Sequence, residues 1–165
     1  LAFMDQAGAY TRCALLKDQS AVGGFASDAV LTPQGGITAL AKNDDQANRD
    51  NEFTLIRFDE KGEQIWRRAY ALGALTCRAS LLDLNPDGSH TVWGMGKMAE
   101  LDSSGFVFRL DVDQEGKPLA LDARRCPGST VVRYLGGRPY VHYPWGPKWW
   151  AAPFEALPEM EVKLQ

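Results

Sequence analysis

The chain has 165 residues, 45% hydrophobic and 24% charged, which is the composition of one globular domain and excludes disorder along its whole length. Eighteen Lys and Arg against 21 Asp and Glu give a net charge of −3, which argues against nucleic acid as the main partner. Apolar runs fall far short of the roughly 20 residues that cross a bilayer, so we expect no membrane insertion.

The N-terminal stretch reads LAFMDQAGAY and begins at Leu1 rather than Met. It lacks the basic and long apolar regions of an intact signal peptide. A signal peptide that has already been removed is compatible with this start, as are a trimmed chain and a leader outside it.

An internal repeat follows, and it is the strongest pattern in the sequence. Residues 31–42 (LTPQGGITALAK) match residues 84–97 (LNPDGSHTVWGMGK), and each segment is a Pro-x-Gly turn before a short apolar strand. Residues 53–66 (FTLIRFDEKGEQIW) match residues 106–119 (FVFRLDVDQEGKPL), where an alternating strand enters an acidic glycine turn. The repeat therefore predicts two similar units of several strands each.

The segments that precede these units are also similar to one another. TRCALL (11–16) resembles TCRASLL (76–82), and CPGSTVV (126–132) begins a third copy that continues as RYLGGRPYVHY (133–143). The period is about 50 residues, with turns roughly every 8–12 residues and no convincing helix. We predict an all-β fold of antiparallel, four-stranded, blade-like sheets in about three repeats, with approximate limits 10–30, 31–83 and 84–143. Residues 144–165 would form a Pro- and Trp-rich tail that packs on the sheets.

The pattern of a P-D/Q-G-G turn, a strand, a long hairpin and F-D-x-x-G-x-x-x-W resembles the blades of bacterial β-propellers. Segment 31–70, ending FDEKGEQIWRRAY, fits it best, whereas in segment 84–123 Leu119 replaces the Trp. Propellers have four to eight blades, and this chain has room for about three. The resemblance therefore implies a short or incomplete propeller or an open sandwich, whose open edges another protein, a second copy or the C-terminal tail would cover.

Two acidic turns are weak candidates for a cation site. Asp83, Asn85 and Asp87 match the first half of a calcium loop, but Gly94 stands where the bidentate Glu would be. A Pro-Asp-Gly β-turn is the commoner use of these residues, so calcium remains an alternative. The turn with Asp111, Asp113 and Glu115 has the same two interpretations, and we predict a solvated hairpin tip.

The cysteines Cys13, Cys77 and Cys126 follow the repeat and not a metal motif, since no C-x-x-C is present. Either one disulfide forms between neighbouring blades of an exported protein, or all three are small buried side chains in a reducing compartment. The two histidines, His90 and His142, lie in predicted strands without a catalytic partner at a meaningful spacing. We predict no catalytic residue.

The C-terminal stretch YVHYPWGPKWWAAPF (140–154) contains Trp145, Trp149 and Trp150. These rings either plug an open core or form a contact surface, because Trp is favoured in interface hot spots. Two polar stretches, 43–52 and 97–104, lie at equivalent places in the two units and are candidate binding loops. The predicted partner-binding residues are Trp145, Trp149 and Trp150 together with Asp50 and Glu52 of the first loop.

Three functions are compatible with these features. We expect a non-catalytic, periplasmic or extracellular protein that binds another protein, such as an inhibitor or immunity protein of a secreted hydrolase, or an assembly subunit. The first alternative is a carbohydrate-binding or carbohydrate-processing domain, in which Trp93 and the three C-terminal tryptophans stack on sugars. The second is a fragment of a larger propeller, which exposed apolar edges would support.

Overall fold

The repeated strand-turn-strand patterns form antiparallel hairpins in the computed structural model. The structure describes residues 2–4, 10–13, 26–42, 51–74, 76–98, 104–127, 131–135, 138–143 and 150–165. A two-stranded sheet is formed near the N-terminus by β1 (Ala2–Met4) and β2 (Tyr10–Cys13). Three larger sheets follow in chain order.

Each larger sheet is a meander in which consecutive strands pair. The first sheet contains β3 (Ala26–Leu31), β4 (Ile37–Lys42), β5 (Glu52–Phe58) and β6 (Gln64–Ala71). The second contains β7 (Thr76–Leu84), β8 (His90–Lys97), β9 (Ser104–Val112) and β10 (Pro118–Pro127). The third contains β11 (Val131–Leu135), β12 (Arg138–Tyr143) and β13 (Trp150–Pro153), and a short 3-10 helix spans Phe154–Ala156.

The prediction of an all-β fold with antiparallel four-stranded sheets is confirmed. Within the described residues the larger sheets have four, four and three strands, and none of them closes into a barrel. The sheets begin one strand before the limits drawn from the sequence, because each glycine turn joins the first strand of its sheet to the second. Residues 31–83 thus contain β4, β5 and β6 of one sheet and β7 of the next.

Four hairpin turns share one backbone geometry, and their glycines have φ angles of 79°, 80°, 83° and 75° at Gly35, Gly62, Gly88 and Gly116. In each turn the glycine N–H donates to the carbonyl three residues earlier, as from Gly35 to Thr32 at 2.9 Å and from Gly116 to Asp113 at 3.1 Å. A positive φ costs other residues free energy, which explains the glycine at each of these turns.

The two complete sheets also share their irregularities. Ser27 in β3 and Ser80 in β7 are extra residues that shift the strand register, and they are 53 positions apart. Ile65 in β6 and Leu119 in β10 are extra residues in the fourth strands, 54 positions apart. Because a bulged residue turns away from the sheet, Ile65 and Leu119 remain 58% and 63% exposed.

The strand register corrects one detail of the sequence alignment. Trp66 pairs with Arg57 in the first sheet, and Ala120 pairs with Asp111 at the equivalent place in the second. Ala120, and not Leu119, therefore stands where the first unit has its Trp. The alignment was one residue off because equivalent positions are 53 residues apart in the second strands, as Thr38 and Thr91, but 54 apart in the third and fourth strands, as Arg57 and Asp111.

The core lies mainly between the first and second sheets. Its buried side chains come from alternate positions on facing strands: Leu40, Phe53, Leu55, Tyr70 and Leu72 of the first unit, and Cys77, Ala79, Leu82, Val92, Phe106, Phe108, Leu110, Val112 and Ala123 of the second. Complete burial stabilises the fold by about 1.5–3 kcal/mol per large apolar side chain. A second cluster joins the other face of the second sheet to the third: Trp93, Val107, Cys126, Val132, Val141 and Phe154. The three sheets therefore pack face to face in chain order.

The segment after the 3-10 helix returns across the second and first sheets. Arg125 N–H donates to the Pro158 carbonyl at 2.8 Å, and Met160 N–H donates to the Ala123 carbonyl at 2.9 Å, so this part pairs with β10. Farther on, Leu164 forms a bridge with Leu72 at the end of β6. Residues 158–165 thereby cover part of two sheet edges that would otherwise present unpaired backbone groups.

Candidate functional site

The two complete sheets have their short turns at one end and their long connections at the other. The glycine turns 32–36, 59–63, 85–89 and 113–117 share one end, which we call the glycine-turn end, because Trp66 beside one turn contacts Gln114 in another. The connections from β4 to β5 and from β8 to β9 leave from the opposite end, the long-connection end. Residues 43–50 and 99–103 of these connections lie outside the described residues.

The third sheet continues this arrangement. Pro127 pairs with Ser104 at the long-connection end of the second sheet, and β11 begins only four residues after Pro127. Val131 in turn pairs with His142, near the end of β12. The connection from β12 to β13 therefore starts at the long-connection end as well, and all three sheets join their second and third strands there.

The predicted partner-binding residues belong to these connections and to the strand ends beside them. Asp50, Trp145 and Trp149 lie outside the described residues. Glu52 is the first residue of β5, where it pairs with Ala71 and is partly buried. Trp150 is the first residue of β13 and pairs with Tyr143.

The weak cation candidates make hydrogen bonds within their own sheet. Asp83 Oδ2 accepts from Trp93 Nε1 at 3.1 Å, and Asp87 Oδ1 accepts from the N–H and hydroxyl of Ser89. The Asn85 amide donates to the Ser89 and Thr91 hydroxyls at 3.0 and 3.1 Å. Nowhere in the described part of the chain do three or more His, Cys, Asp or Glu side chains form a group that would hold a metal ion.

The acidic turn before Gly116 is a hairpin tip held by its own aspartate. Asp113 Oδ1 accepts from the N–H groups of Glu115 at 3.0 Å and Lys117 at 2.6 Å. Asp59 makes the equivalent pair of bonds to Lys61 and Glu63 in the first sheet, both at 2.8 Å. The aspartate of the repeated F-D-x-x-G pattern thus has a structural role in the first sheet, and Asp113 has the same role in the second.

Cys77 and Cys126 cannot form a disulfide with each other. Cys77 lies on one edge strand of the second sheet and Cys126 on the other. Cys77 packs in the cluster toward the first sheet, and Cys126 packs in the cluster toward the third sheet. A disulfide needs Cα atoms about 4.4–6.8 Å apart, which two edge strands of a four-stranded sheet exceed. No bond joins this pair, and burial raises the pKa of the Cys77 thiol to about 12. The side chain of Cys13 lies outside the description.

A buried polar group lies between the first and second sheets at the glycine-turn end. His90 is fully buried at the start of β8, and its Nε2 is 2.8 Å from Oγ1 of Thr38 in β4. Oγ1 also accepts a long hydrogen bond, 3.4 Å, from Nη1 of Arg57. The Thr38 hydroxyl has one donor and two acceptor positions, so it can bond either neutral tautomer of His90 while it accepts from Arg57.

The surroundings of His90 disfavour its charged form. Burial is the main cause and the Arg57 cation is the second, and together they lower the pKa of His90 to about 4. The Trp66 ring stands edge-on to the imidazole, with centroids 6.5 Å apart. His90 is therefore neutral at neutral pH and packs between the two sheets, away from solvent.

Two features bear on the carbohydrate alternative. Trp93, one of its four stacking candidates, is 5% exposed and packs edge-on against Phe154 at 5.2 Å, so its face does not reach a ligand. Asp122, Glu159 and Glu161 line a cavity of about 340 Å³ beside β10. Arg124 binds the first two, at 2.9 and 3.3 Å, so these carboxylates serve an ion pair.

Sequence reasoning missed Arg57 and Thr38, which the fold brings to the boundary between two sheets. The repeat contained a signal for them. Thr38 pairs with Arg57 in the first sheet, and Thr91 pairs with Asp111 at the equivalent place in the second. A comparison of the two units position by position therefore finds a threonine beside a charged residue in both.

Comparison of the chain with protein-family models, with curated proteins and with solved structures finds no match. Within the described residues, no helix has the length and apolar character needed to cross a membrane. The functional conclusion therefore depends on the geometry of the sheets and on the residues at their two ends.

Proposed function

We propose that the protein is a non-catalytic binding module whose partner is another protein. The partner contacts the long-connection end of the sheets. A secreted hydrolase that the module inhibits, or an assembly to which it contributes a subunit, fits this role in the periplasm or outside the cell.

The observation that carries the proposal is the common direction of the three sheets. It brings the ends of β4 and β5, of β8 and β9, and of β12 and β13 to one end of the stack. Connections held by a packed scaffold are the usual place for recognition residues, because they vary in sequence without disturbing the core. In the part of the chain that the structure describes, the opposite end has the four short glycine turns, which are held by their own hydrogen bonds.

The residues of these connections suit protein recognition. The stretch 43–52 (NDDQANRDNE) is polar and rich in acidic residues. The stretch 144–150 (PWGPKWW) has three Trp in seven residues. Aromatic anchors beside charged residues are typical of interface hot spots. We assign partner contact to Trp145, Trp149 and Trp150, with Asp50 and Glu52 supplying charge.

The test is capture of a partner from the source cells, with the full chain as bait and mass spectrometry as readout. We expect one dominant, stoichiometric protein, which Trp149→Ala/Trp150→Ala loses while keeping the thermal unfolding midpoint of the parent. Lys61→Ala/Glu63→Ala at the glycine-turn end is the matched control and should keep the partner. If the tryptophan variant is unfolded, or if it retains the partner as well as the control does, the assignment is wrong.

A second candidate, a fragment of a larger propeller, is favoured by one observation. Ile65 and Leu119 are largely exposed on the fourth strands, where a further chain would lie alongside. The molar mass in solution, measured by light scattering, separates the two: a binding module is monomeric without its partner, whereas a fragment self-associates through its edges. A glycan array tests the carbohydrate alternative if no protein partner is captured.

A further inference from the structure

Arg57 is a partly buried cation at the outer end of the boundary between the first and second sheets. Its guanidinium makes two long hydrogen bonds, both 3.4 Å, to the Thr38 hydroxyl and to Oε1 of Gln34. None of the ion pairs among the described residues includes Arg57. Burial lowers its pKa. Most of its five N–H donors therefore have no protein acceptor in the described structure.

Two other arginines of the sheets have a carboxylate partner, whereas Arg78, Arg125 and Arg133, which are in no ion pair of the described residues, are exposed. Arg109 binds Asp111 at 2.7 Å, and Arg124 binds Asp122 at 2.9 Å. Asp111 stands in the second sheet where Arg57 stands in the first, and it also accepts from Thr91 at 2.7 Å. The repeat thus places a satisfied anion in one unit and a cation without a carboxylate in the other. A partly buried guanidinium without a carboxylate partner has free N–H donors that an anionic ligand can bind.

We propose that Arg57 and Gln34 form a binding site for a carboxylate at the glycine-turn end. The planar guanidinium matches the two oxygens of a carboxylate, which it binds through parallel hydrogen bonds. Because Gln34 directs Oε1 at Arg57, its amide nitrogen is left to donate to the same ligand. Behind them, Thr38 is fixed by its bond to His90 and holds the guanidinium in place.

The charge around the site selects a monoanion. Arg57 is one positive charge, and its contacts Gln34 and Thr38 are neutral, as is His90 at neutral pH. The Cβ of Glu60 lies 3.6 Å from where a Cβ on Gly35 would stand, so a negative side chain belongs to the adjacent turn and disfavours a dianion. The ligand class is therefore a carboxylate, supplied either by a small organic acid or by an Asp, Glu or chain terminus of a protein.

The test is a titration of the full chain with acetate at low ionic strength, followed by ¹H–¹⁵N NMR of the backbone amides. We expect saturable shifts confined to residues near 34–38 and 57. Arg57→Gln should weaken acetate binding roughly tenfold or more, since charge-assisted hydrogen bonds contribute about 1.5–3 kcal/mol. Lys61→Gln also removes one positive charge, but from the exposed neighbouring turn. It should change acetate binding less than about twofold, because solvent screens the charge of an exposed lysine.

Three outcomes would overturn the proposal: shifts spread over all basic residues, equal weakening by both variants, or tighter binding of phosphate than of acetate at pH 7.5. If Arg57→Gln does not fold, Arg57→Lys is the second variant, because it keeps the positive charge but loses the two parallel N–H donors of the guanidinium. Unchanged acetate binding by Arg57→Lys would also overturn the proposal. A peptide with a single Glu that binds more tightly than acetate would identify a protein as the source. This site is at the end opposite to the proposed partner surface, so the two proposals fail independently.

Discussion

The indole ring of Trp66 lies on Gly116 of the neighbouring sheet, where a Cβ would stand 3.0 Å from Cζ3 of the ring. The indole N–H also donates to the Gln114 carbonyl at 3.1 Å, and Tyr70 donates to the Gly116 carbonyl at 2.7 Å. One glycine therefore serves two purposes: it adopts a positive φ in its turn, and it provides a flat surface for the ring of the preceding unit.

This double role predicts unequal effects of the same substitution at two turns. Gly35→Ala places a Cβ at an ordinary 3.6 Å from its nearest neighbour, so its cost is that of the positive φ, about 1 kcal/mol. Gly116→Ala adds a clash with Trp66 and Arg68, and we expect about 3 kcal/mol. Urea denaturation of both variants measures the difference. Equal losses would show that the ring contact contributes nothing.

The turn aspartates should respond to the loss of an acceptor and not to the loss of charge. Asp113→Ala removes the oxygen that binds two backbone N–H groups and should cost about 1–2 kcal/mol of unfolding free energy. Asp113→Asn keeps an oxygen at Oδ1 and should cost less than about 0.5 kcal/mol. Thermal unfolding of the two variants, with and without calcium, makes the comparison. A calcium-dependent midpoint that Asp113→Asn abolishes would instead support a cation site in this turn.

Stability should fall in mild acid because of His90. Its pKa is about 4 in the folded protein and 6.5 ordinarily, so the unfolded chain binds the proton more tightly. The contribution of His90 is complete above pH 6.5 and decreases as the pH falls toward 4, by about 1.4 kcal/mol per unit and about 3 kcal/mol in total. We expect the gap in unfolding free energy between the parent and His90→Gln to narrow over this range. Parallel curves would show that the histidine does not titrate on unfolding.

Phe154 tests whether the C-terminal segment belongs to the core. The ring is 2% exposed, meets Trp93 edge-on and lies 5.6 Å from the Arg124 guanidinium. Phe154→Ala should therefore cost about 3–5 kcal/mol of unfolding free energy. Glu155→Ala, its exposed neighbour, should cost less than about 0.5 kcal/mol and is the control. Similar midpoints for both in a thermal scan would mean that the segment is not packed in solution.

The sequence predicted those parts of the fold that local chemistry determines. The glycines of the four turns were recognised because a positive φ is a property of one residue and its neighbours. The bulges at Ser27 and Ile65 were not, because an extra residue is defined only against its partner strand. The cysteine alternatives could not be separated from the sequence, because it does not reveal that Cys77 and Cys126 lie on opposite faces of one sheet.

The candidate site residues also differ in whether the sequence alone could reveal them. Asp50 and Trp149 were selected for composition and stay predictions, because both lie outside the described residues. Arg57 gave no local signal, because an arginine in an alternating strand looks like a solvent-facing residue until the second sheet covers it. Gly94 and Gly96 also gave no local signal in the sequence. Their role depends on the next strand, because a Cβ on either would lie within 2.6 Å of a Phe ring of that strand.

Pairing of residues 158–165 with β10 and with Leu72 also sets an order of events during synthesis. A ribosome releases both complete sheets before the residues that close their edges leave the exit tunnel. During that interval the edge of β10 and the end of β6 are available to any extended chain, including a second nascent copy. Slower translation of residues 158–165 should therefore raise the yield of aggregated chains without changing the stability of the chains that finish folding.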